Sequence, residues 1–165
     1  MNRLKENRAA SFAVVSLVYI MATAVGVLVY GALELDWWLS LLIADTAATA
    51  VTFIFSLIFK NASVYDPYWS VQPPVILVGF AAGRELTALG ILLLAVVSFW
   101  AIRLTANWAY TFANLHHQDW RYAMLKEKTG LLYPVINFVG IHMVPTLVVL
   151  KARVALPSDI AFSIM

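Results

Sequence analysis

Residues 11–33 read SFAVVSLVYIMATAVGVLVYGAL, a run of 23 residues without a charged side chain. A helix of about 20 apolar residues is long enough to cross the hydrocarbon core of a bilayer, which is roughly 30 Å thick. The apolar region of a signal peptide is shorter, at about 7–15 residues. The run therefore predicts a retained membrane span.

Four further apolar blocks follow along the chain. Three of them reach or approach the length of a span, whereas residues 71–83 are few and begin beside two prolines. That short block is either a tilted span or a re-entrant segment. We predict an all-α fold, a polytopic transmembrane helical bundle in one domain, with five spans, or four if the short block does not cross. The predicted spans are residues 11–33, 37–59, 71–83, 86–105 and 131–150.

The composition agrees with a membrane protein. Hydrophobic residues make up 62% of the chain and charged residues 12%, whereas soluble domains have about 45–50% and 25%. The basic residues form short clusters between the apolar blocks, which is typical of loops beside a membrane and not of a nucleic-acid surface. The chain has no cysteine, which excludes disulfides, thiolate zinc sites and cysteine nucleophiles. The bilayer is therefore a predicted partner, and nucleic acid is not.

The distribution of basic residues also predicts the topology. Cytoplasmic loops carry an excess of lysine and arginine, and five spans with a cytoplasmic N-terminus satisfy this rule better than four. In that topology the two polar stretches, residues 60–72 and 105–130, lie on the same inner face. We therefore expect any chemistry of the protein at this face.

The inner-face stretches contain two motifs that have both structural and functional interpretations. Residues 64–69 read VYDPYW, which fits an aromatic belt with an Asp-Pro turn or a polar site at the membrane boundary. Arg103 and Asn107 are four residues apart and are predicted to share a helix face. The Arg103 guanidinium could extend to the lipid headgroups, or it could face the bundle interior and bind a phosphate or carboxylate.

A third motif, Asp119-Trp120-Arg121-Tyr122, precedes further basic residues. Two residues spaced i and i+2 on a helix do not face each other, so Asp119 and Arg121 are expected to have different partners. Arg121, Lys126 and Lys128 form a basic patch that suits an anionic cofactor or, equally, anionic lipid headgroups.

Four other ionisable residues need an interpretation: two lie inside apolar blocks, and two are adjacent histidines that could be metal ligands. His142 lies inside an apolar block, so it is either functional or hydrogen-bonded to a backbone carbonyl freed near Pro145. Asp45 is expected to face the bundle interior, with threonines nearby to solvate it. Neighbouring His116 and His117 point to different helix faces and have no further ligand at a recognised spacing, so no metal site is predicted.

These motifs, in this order, resemble the DUF1295 membrane proteins, which are relatives of the steroid 5-alpha-reductases. Asp66-Pro67-Tyr68-Trp69 is similar to the family's Asp-Pro-aromatic-Trp motif. Residues 100–104 resemble Trp-x-x-Arg-Leu, residues 119–122 resemble Asp-x-Arg-Tyr, and residues 144–146 fit the following span. The similarity covers roughly residues 66–150.

The resemblance implies an all-helical membrane enzyme of one of two kinds. One kind reduces a carbon–carbon double bond of a lipid- or steroid-like enone with NADPH. The other is similar to isoprenylcysteine methyltransferases and uses S-adenosylmethionine (SAM). Family members usually continue with an Arg-His-Pro-Asn-Tyr stretch that contributes to the cofactor site, and no such stretch occurs here. The sequence is therefore expected to be the N-terminal portion of a longer enzyme or a non-catalytic membrane scaffold.

The resemblance also implies roles for particular residues. The catalytic hydrogen-bond donor to the substrate carbonyl would be Tyr68, and Trp69 and His142 would contact a lipid-like substrate. Cofactor binding would fall to residues of the inner-face motifs. These are Asp66, Arg103, Asn107, Asp119, Arg121, Tyr122 and Lys126.

Overall fold

The computed structural model describes residues 6–82 and 86–154, and its regular elements are helices. The predicted all-α class is therefore confirmed. The α-helices are α1 (Arg8–Ala32), α2 (Trp37–Phe59), α3 (Tyr68–Ala81), α4 (Ala88–Thr111), α5 (Trp120–Thr129), α6 (Tyr133–Ile136) and α7 (Val144–Val154). The described residues also form two 3₁₀ turns, Ala62–Val64 and Gly130–Leu132, and a π segment, Asn137–Met143.

Four helical stretches of the described residues are long and apolar enough to cross a membrane. In the most apolar part of each stretch, only 11% to 39% of the residues are buried. A helix that is apolar on all sides yet mostly unburied is typical of a membrane span, so the protein is an integral membrane protein. The stretches are Arg8–Ala32, Trp37–Phe59, Ala88–Thr111 and Trp120–Lys151.

The short apolar block, predicted at residues 71–83, lies largely in α3, which has 14 residues and contains Pro73 and Pro74. At 1.5 Å per residue this helix is about 21 Å long, shorter than a hydrocarbon core of about 30 Å. The end of the predicted span, Gly83, lies outside the described residues, as does Arg84 of the basic-residue distribution. The fifth crossing and the cytoplasmic N-terminus stay predictions.

The polar stretch at residues 105–130 is more helical than its composition indicates. Helix α4 continues past the predicted span end at residue 105 to Thr111, and α5 begins at Trp120. The Thr111 hydroxyl donates to the carbonyl of Trp108 at 3.1 Å, which satisfies one of the last carbonyls of α4. The irregular connection is therefore confined to residues 112–119.

The chain forms two compact units, of which the first contains residues up to Asp66 together with Phe112–Val148. Within this unit α1 packs against α2 through small side chains. A Cβ atom added at Gly26 would lie 3.4 Å from the Cβ of Ala48 and 3.6 Å from the carbonyl oxygen of Ala44. Small residues let two membrane helices approach closely, so Gly26 fixes the separation of α1 and α2.

We expect Gly26→Leu to destabilise the first unit by about 1–3 kcal/mol, because a large side chain would force α1 away from α2. Thermal unfolding in detergent measures the loss. Gly31 is on the same helix, and an added Cβ there would meet nothing within 4 Å. Gly31→Leu is therefore the matched control, with a change of about 0.5 kcal/mol or less. Equal losses in the two variants would contradict the close approach at Gly26.

Of the described residues, those within Pro67–Thr111 and those from Val149 onward form the second unit. In it α3 and α4 form a helical hairpin. The hydroxyls of Ser70 and Thr105 lie 3.0 Å apart, and the rings of Trp69 and Trp100 meet edge to face at 5.7 Å. These contacts hold the start of α3 against the second half of α4.

Candidate functional site

The end of α2 positions the first part of the polar cluster in the first unit. Lys60 ends the helix in the left-handed conformation, with φ of 56°. Asn61 follows, and its Oδ1 accepts a hydrogen bond from the Ser63 N–H at 2.9 Å. An asparagine side chain that accepts from the backbone two residues on forms an Asx turn. Here that turn leads directly into the 3₁₀ turn Ala62–Val64.

Asn61 and Ser63 join this turn to the connection between α4 and α5. The buried Asn61 side chain donates through Nδ2 to the carbonyl oxygens of Leu115 at 2.8 Å and His117 at 3.2 Å. The backbone N–H of Asp119 donates to the Ser63 hydroxyl at 2.9 Å. Hydrogen bonds therefore join two segments that are more than 50 residues apart in sequence.

Asp119 begins α5 and forms an ion pair with Arg121. Its Oδ1 accepts from the Arg121 backbone N–H at 2.8 Å, and the guanidinium reaches the carboxylate with Nε at 2.9 Å and Nη2 at 2.8 Å. The expectation that the two residues have different partners was wrong. Asp119 is the N-cap, with non-helical backbone angles, so the rule for two residues inside a helix does not apply. The guanidinium beside Asp119 lowers the pKa of that carboxyl.

Asp66 and Tyr122 form the second pair of the cluster. The Tyr122 hydroxyl donates to Oδ1 of Asp66, across 56 residues of sequence. Burial raises the pKa of Asp66 from its ordinary value of 3.8 to about 6, and the hydrogen bond from Tyr122 opposes part of that rise. A carboxyl group with a pKa near 6 exchanges its proton close to neutral pH.

We call Asn61, Ser63, Asp66, Asp119, Arg121 and Tyr122 the loop cluster. Of the predicted cofactor residues, it brings together Asp66, Asp119, Arg121 and Tyr122. Lys126 lies one turn further along α5, where it is exposed and its Nζ is 5.9 Å from the centre of the Tyr133 ring. Sequence reasoning missed Asn61 and Ser63, although Asn-x-Ser after a helix end is a recognisable turn signal.

Four other predicted site residues, Tyr68, Trp69, Arg103 and Asn107, belong to the second unit. Tyr68 is buried at the start of α3, and Trp69 packs on Trp100. Arg103 and Asn107 are exposed one turn apart on α4, in a continuous helix as their spacing predicts. Their proposed roles in catalysis and cofactor binding stay predictions.

His142 lies in the first unit with 0% exposure. Its Nδ1 is 3.1 Å from a carbonyl oxygen, as one of the two interpretations expected. The carbonyl belongs to Asn137 and not to a residue freed by Pro145, because residues 137–143 form a π segment. Asp45 is 3% exposed, and Thr49 and Thr52 on the same helix are also buried, so it faces the interior as predicted.

Comparison with known families supports the resemblance seen in the motifs. The family model described as "Protein of unknown function (DUF1295)" matches residues 52–164. The match includes the whole loop cluster and extends over about two thirds of the chain. No curated protein and no solved structure matches the chain. The match over more than half of its length shows that this integral membrane protein belongs to the DUF1295 family.

Proposed function

We propose that the protein takes part in the NADPH-dependent reduction of a carbon–carbon double bond in a lipid- or steroid-like enone. The observation that supports this proposal most is the Asp66–Tyr122 pair beside an exposed arginine. Such a cluster offers a proton-exchanging acid, a hydroxyl donor and a cation within one unit. The apolar helices of the same protein would give a lipid-soluble substrate access from the bilayer.

The charged residues fit the phosphate groups of NADPH. The Arg121 side chain is 61% exposed, and its pair with Asp119 uses only Nε and Nη2. A guanidinium has five N–H donors, so the two on Nη1 are not committed to Asp119. Lys126 and Lys128 are exposed in the last turn of α5 and add positive charge nearby. Arg121 with these lysines would therefore hold the anionic end of the cofactor.

When bound, NADPH supplies the hydride, and the chain must provide for the charge that develops on the substrate. Reduction of an enone places negative charge on the carbonyl oxygen, which a positioned hydrogen-bond donor stabilises. We assign this role to the Tyr122 hydroxyl. In the resting pair its one hydrogen is donated to Asp66; once Asp66 is protonated, the carboxyl O–H would donate to the Tyr122 oxygen instead, which frees the phenolic hydrogen for the substrate carbonyl. Asp66, with its pKa of about 6, would replace the proton that the substrate takes up. Tyr68 remains the second candidate for the donor, from the start of α3.

We expect Arg121→Ala to weaken NADPH binding about tenfold or more, because a hydrogen bond to a charged group contributes about 1.5–3 kcal/mol. Binding is measured by titration of the purified protein in detergent. Lys151→Ala is the matched control, since Lys151 is also exposed but lies on α7, and it is expected to leave the affinity unchanged.

The same titration separates the reductase from its alternatives. SAM has no polyphosphate, so a SAM-binding protein would bind that cofactor and respond little to Arg121→Ala. Binding of neither cofactor would contradict both enzymatic proposals and favour a non-catalytic scaffold. In the reductase, Tyr122→Phe is expected to retain NADPH affinity and to lower the rate of enone reduction, because the donor to the substrate is lost while Arg121 and the lysines stay in place.

A further inference from the structure

Helix α2 packs in the first unit against the π segment and the start of α7 through buried polar and aromatic side chains. The contacts follow an antiparallel order, in which residues later on α2 meet residues earlier in the facing helix. They are Thr49 Oγ1 to Thr146 Oγ1 at 3.0 Å, the Phe53 ring to the His142 ring at 5.4 Å, and Ser56 Oγ to Asn137 Nδ2 at 3.3 Å.

The π segment is what lets both Asn137 and His142 face α2. Phe53 and Ser56 are three residues apart, whereas their partners His142 and Asn137 are five apart. In an α-helix, residues i and i+5 point about 140° away from each other, so only one could reach α2. A π-helix closes each turn with an i→i+5 hydrogen bond, which brings residue i+5 close to the face of residue i. The segment Asn137–Met143 therefore presents both polar side chains to the same neighbour.

The hydrogen-bond partners fix which atoms of these two side chains carry hydrogen. Nδ1 of His142 lies 3.1 Å from the Asn137 carbonyl oxygen, which can only accept, so Nδ1 is the N–H and Nε2 is an acceptor. The Ser56 hydroxyl donates its one hydrogen to the Phe53 carbonyl at 2.8 Å. It can therefore only accept from Asn137, whose amide nitrogen must face it, leaving Oδ1 of Asn137 as an acceptor.

Both acceptors are buried and lack a donor. His142 Nε2 and Asn137 Oδ1 have no hydrogen-bond partner in the part of the chain that the structure describes, and the two residues are 0% and 2% exposed. Thr52, next to Phe53 on α2, does not supply a hydrogen either, because its hydroxyl donates to the Thr49 carbonyl at 2.7 Å. Buried polar atoms are nearly always satisfied, so a donor from outside these side chains is required.

We propose that His142 Nε2 and Asn137 Oδ1 together bind a neutral hydroxyl group, from an internal water or from the hydroxyl of a bound lipid. A hard cation would need about six or more oxygen ligands, and this pair offers one oxygen and one imidazole nitrogen. A neutral O–H group instead suits lone-pair acceptors: a water molecule has one hydrogen for each of the two, and a lipid hydroxyl has one, which would be donated to His142 Nε2. The site lies among the apolar helices, so it is independent of the loop cluster and of the function proposed for it.

The tautomer and hydrogen bonding of His142 test the site directly. The chain has three histidines, so the double variant His116→Gln/His117→Gln leaves His142 alone, and its ¹⁵N-labelled imidazole is observed by NMR in detergent micelles. We expect a neutral ring with the proton on Nδ1 and an Nε2 resonance displaced from that of a free acceptor. A ring protonated on Nε2, or an Nε2 resonance at the free-acceptor position, would overturn the proposal.

Two additions to the same sample identify the source of the hydroxyl. Dodecanol and dodecane have the same chain, but only dodecanol has a hydroxyl group. A shift of Nε2 with dodecanol and not with dodecane assigns a lipid hydroxyl. A magnetisation transfer from water to the ring, with no response to dodecanol, assigns an internal water. If Nε2 is displaced and neither additive nor water affects it, the donor is part of the protein and the proposal fails.

A pair of variants tests whether Asn137 shares the site. Asn137→Ala removes the second acceptor, so we expect the Nε2 resonance of His142 to move. Thr52→Ala is the control, because Thr52 is buried on α2 but uses its hydroxyl within its own helix, and it should leave that resonance in place. An unchanged resonance in folded Asn137→Ala would remove Asn137 from the site. If that variant does not fold, the ¹⁵N spectrum of His142 with Asn137 intact still tests whether Nε2 accepts a hydrogen bond.

Discussion

Asn61→Ala is expected to lower the free energy of unfolding by about 3 kcal/mol. The substitution removes the acceptor of the Ser63 N–H and the donor to the carbonyls of Leu115 and His117. Because Asn61 is 2% exposed, water cannot readily replace those partners. Each buried polar group left unsatisfied costs about 1–3 kcal/mol, and the loss of several hydrogen bonds at one residue adds up to a large effect.

The measurement is denaturant or thermal unfolding of the purified protein in detergent, with helix content as the signal. Asn114 provides the matched control, since it is also an asparagine in the connection between α4 and α5. Its Oδ1 accepts from the N–H groups of His116 and His117 at 2.9 and 3.2 Å, but in an exposed setting. Asn114→Ala should therefore cost about 1 kcal/mol or less. A comparable loss in both variants would show that Asn61 does not join the two segments.

The helical class of this protein could be predicted from the sequence because the signal is local. A run such as residues 11–33 is long, apolar and uncharged, and these two properties, length and composition, are enough to predict a membrane span. Helix ends were less predictable. Helix α4 extends to Thr111, although the residues after 105 are polar, because hydrogen bonding within a helix does not stop where the apolar composition does.

The members of the loop cluster could be predicted, whereas their partners could not. The motifs at residues 66–69 and 119–122 marked Asp66 and Tyr122 as candidates, but no pattern indicates a hydrogen bond across 56 residues. The pairing of Asp119 with Arg121 was missed for a different reason. Helix geometry was assumed at both residues, and the N-cap position of Asp119 changes the direction of its side chain.

The orientation of His142 depends on a helix type that sequence patterns do not indicate. With α-helical periodicity, Asn137 and His142 would point to different sides of the helix. The π segment instead brings them to one face, where both contact α2. Sequence reasoning could therefore identify His142 as unusual within an apolar block but could not predict Asn137 beside it.

Asp66→Asn is expected to stabilise the protein at pH 8 by about 3 kcal/mol and to leave its stability at pH 4 nearly unchanged. The pKa of Asp66 is about 6 in the folded chain against an ordinary 3.8, and each pKa unit corresponds to about 1.4 kcal/mol. Between these values the folded state binds more protons than the unfolded state. Stability therefore falls as the pH rises from about 4 to 6 and stays low above that range.

The other groups near Asp66 do not produce this slope. The pKa of Asp119 is lowered, so its contribution to stability is present above its ordinary value and is lost only as the pH falls below it. Arg121 stays charged throughout. In Asp66→Asn the amide oxygen still accepts the Tyr122 hydroxyl, but the buried charge is gone, so the slope between pH 4 and 6 should flatten. Glu127→Gln, an exposed carboxylate change on α5, should leave the slope as it is.

Tyr122→Phe distinguishes burial from hydrogen bonding as causes of the Asp66 titration. The Tyr122 hydroxyl opposes the rise in the pKa of Asp66, so its removal should move the midpoint of the stability profile to higher pH. A midpoint that moves down, or an unchanged slope in Asp66→Asn, would contradict the assignment. Under the reductase proposal the stabilised Asp66→Asn variant would also lose activity, because the amide cannot exchange a proton. A functional carboxylate often destabilises the fold, so we expect its replacement to raise stability and to lower activity.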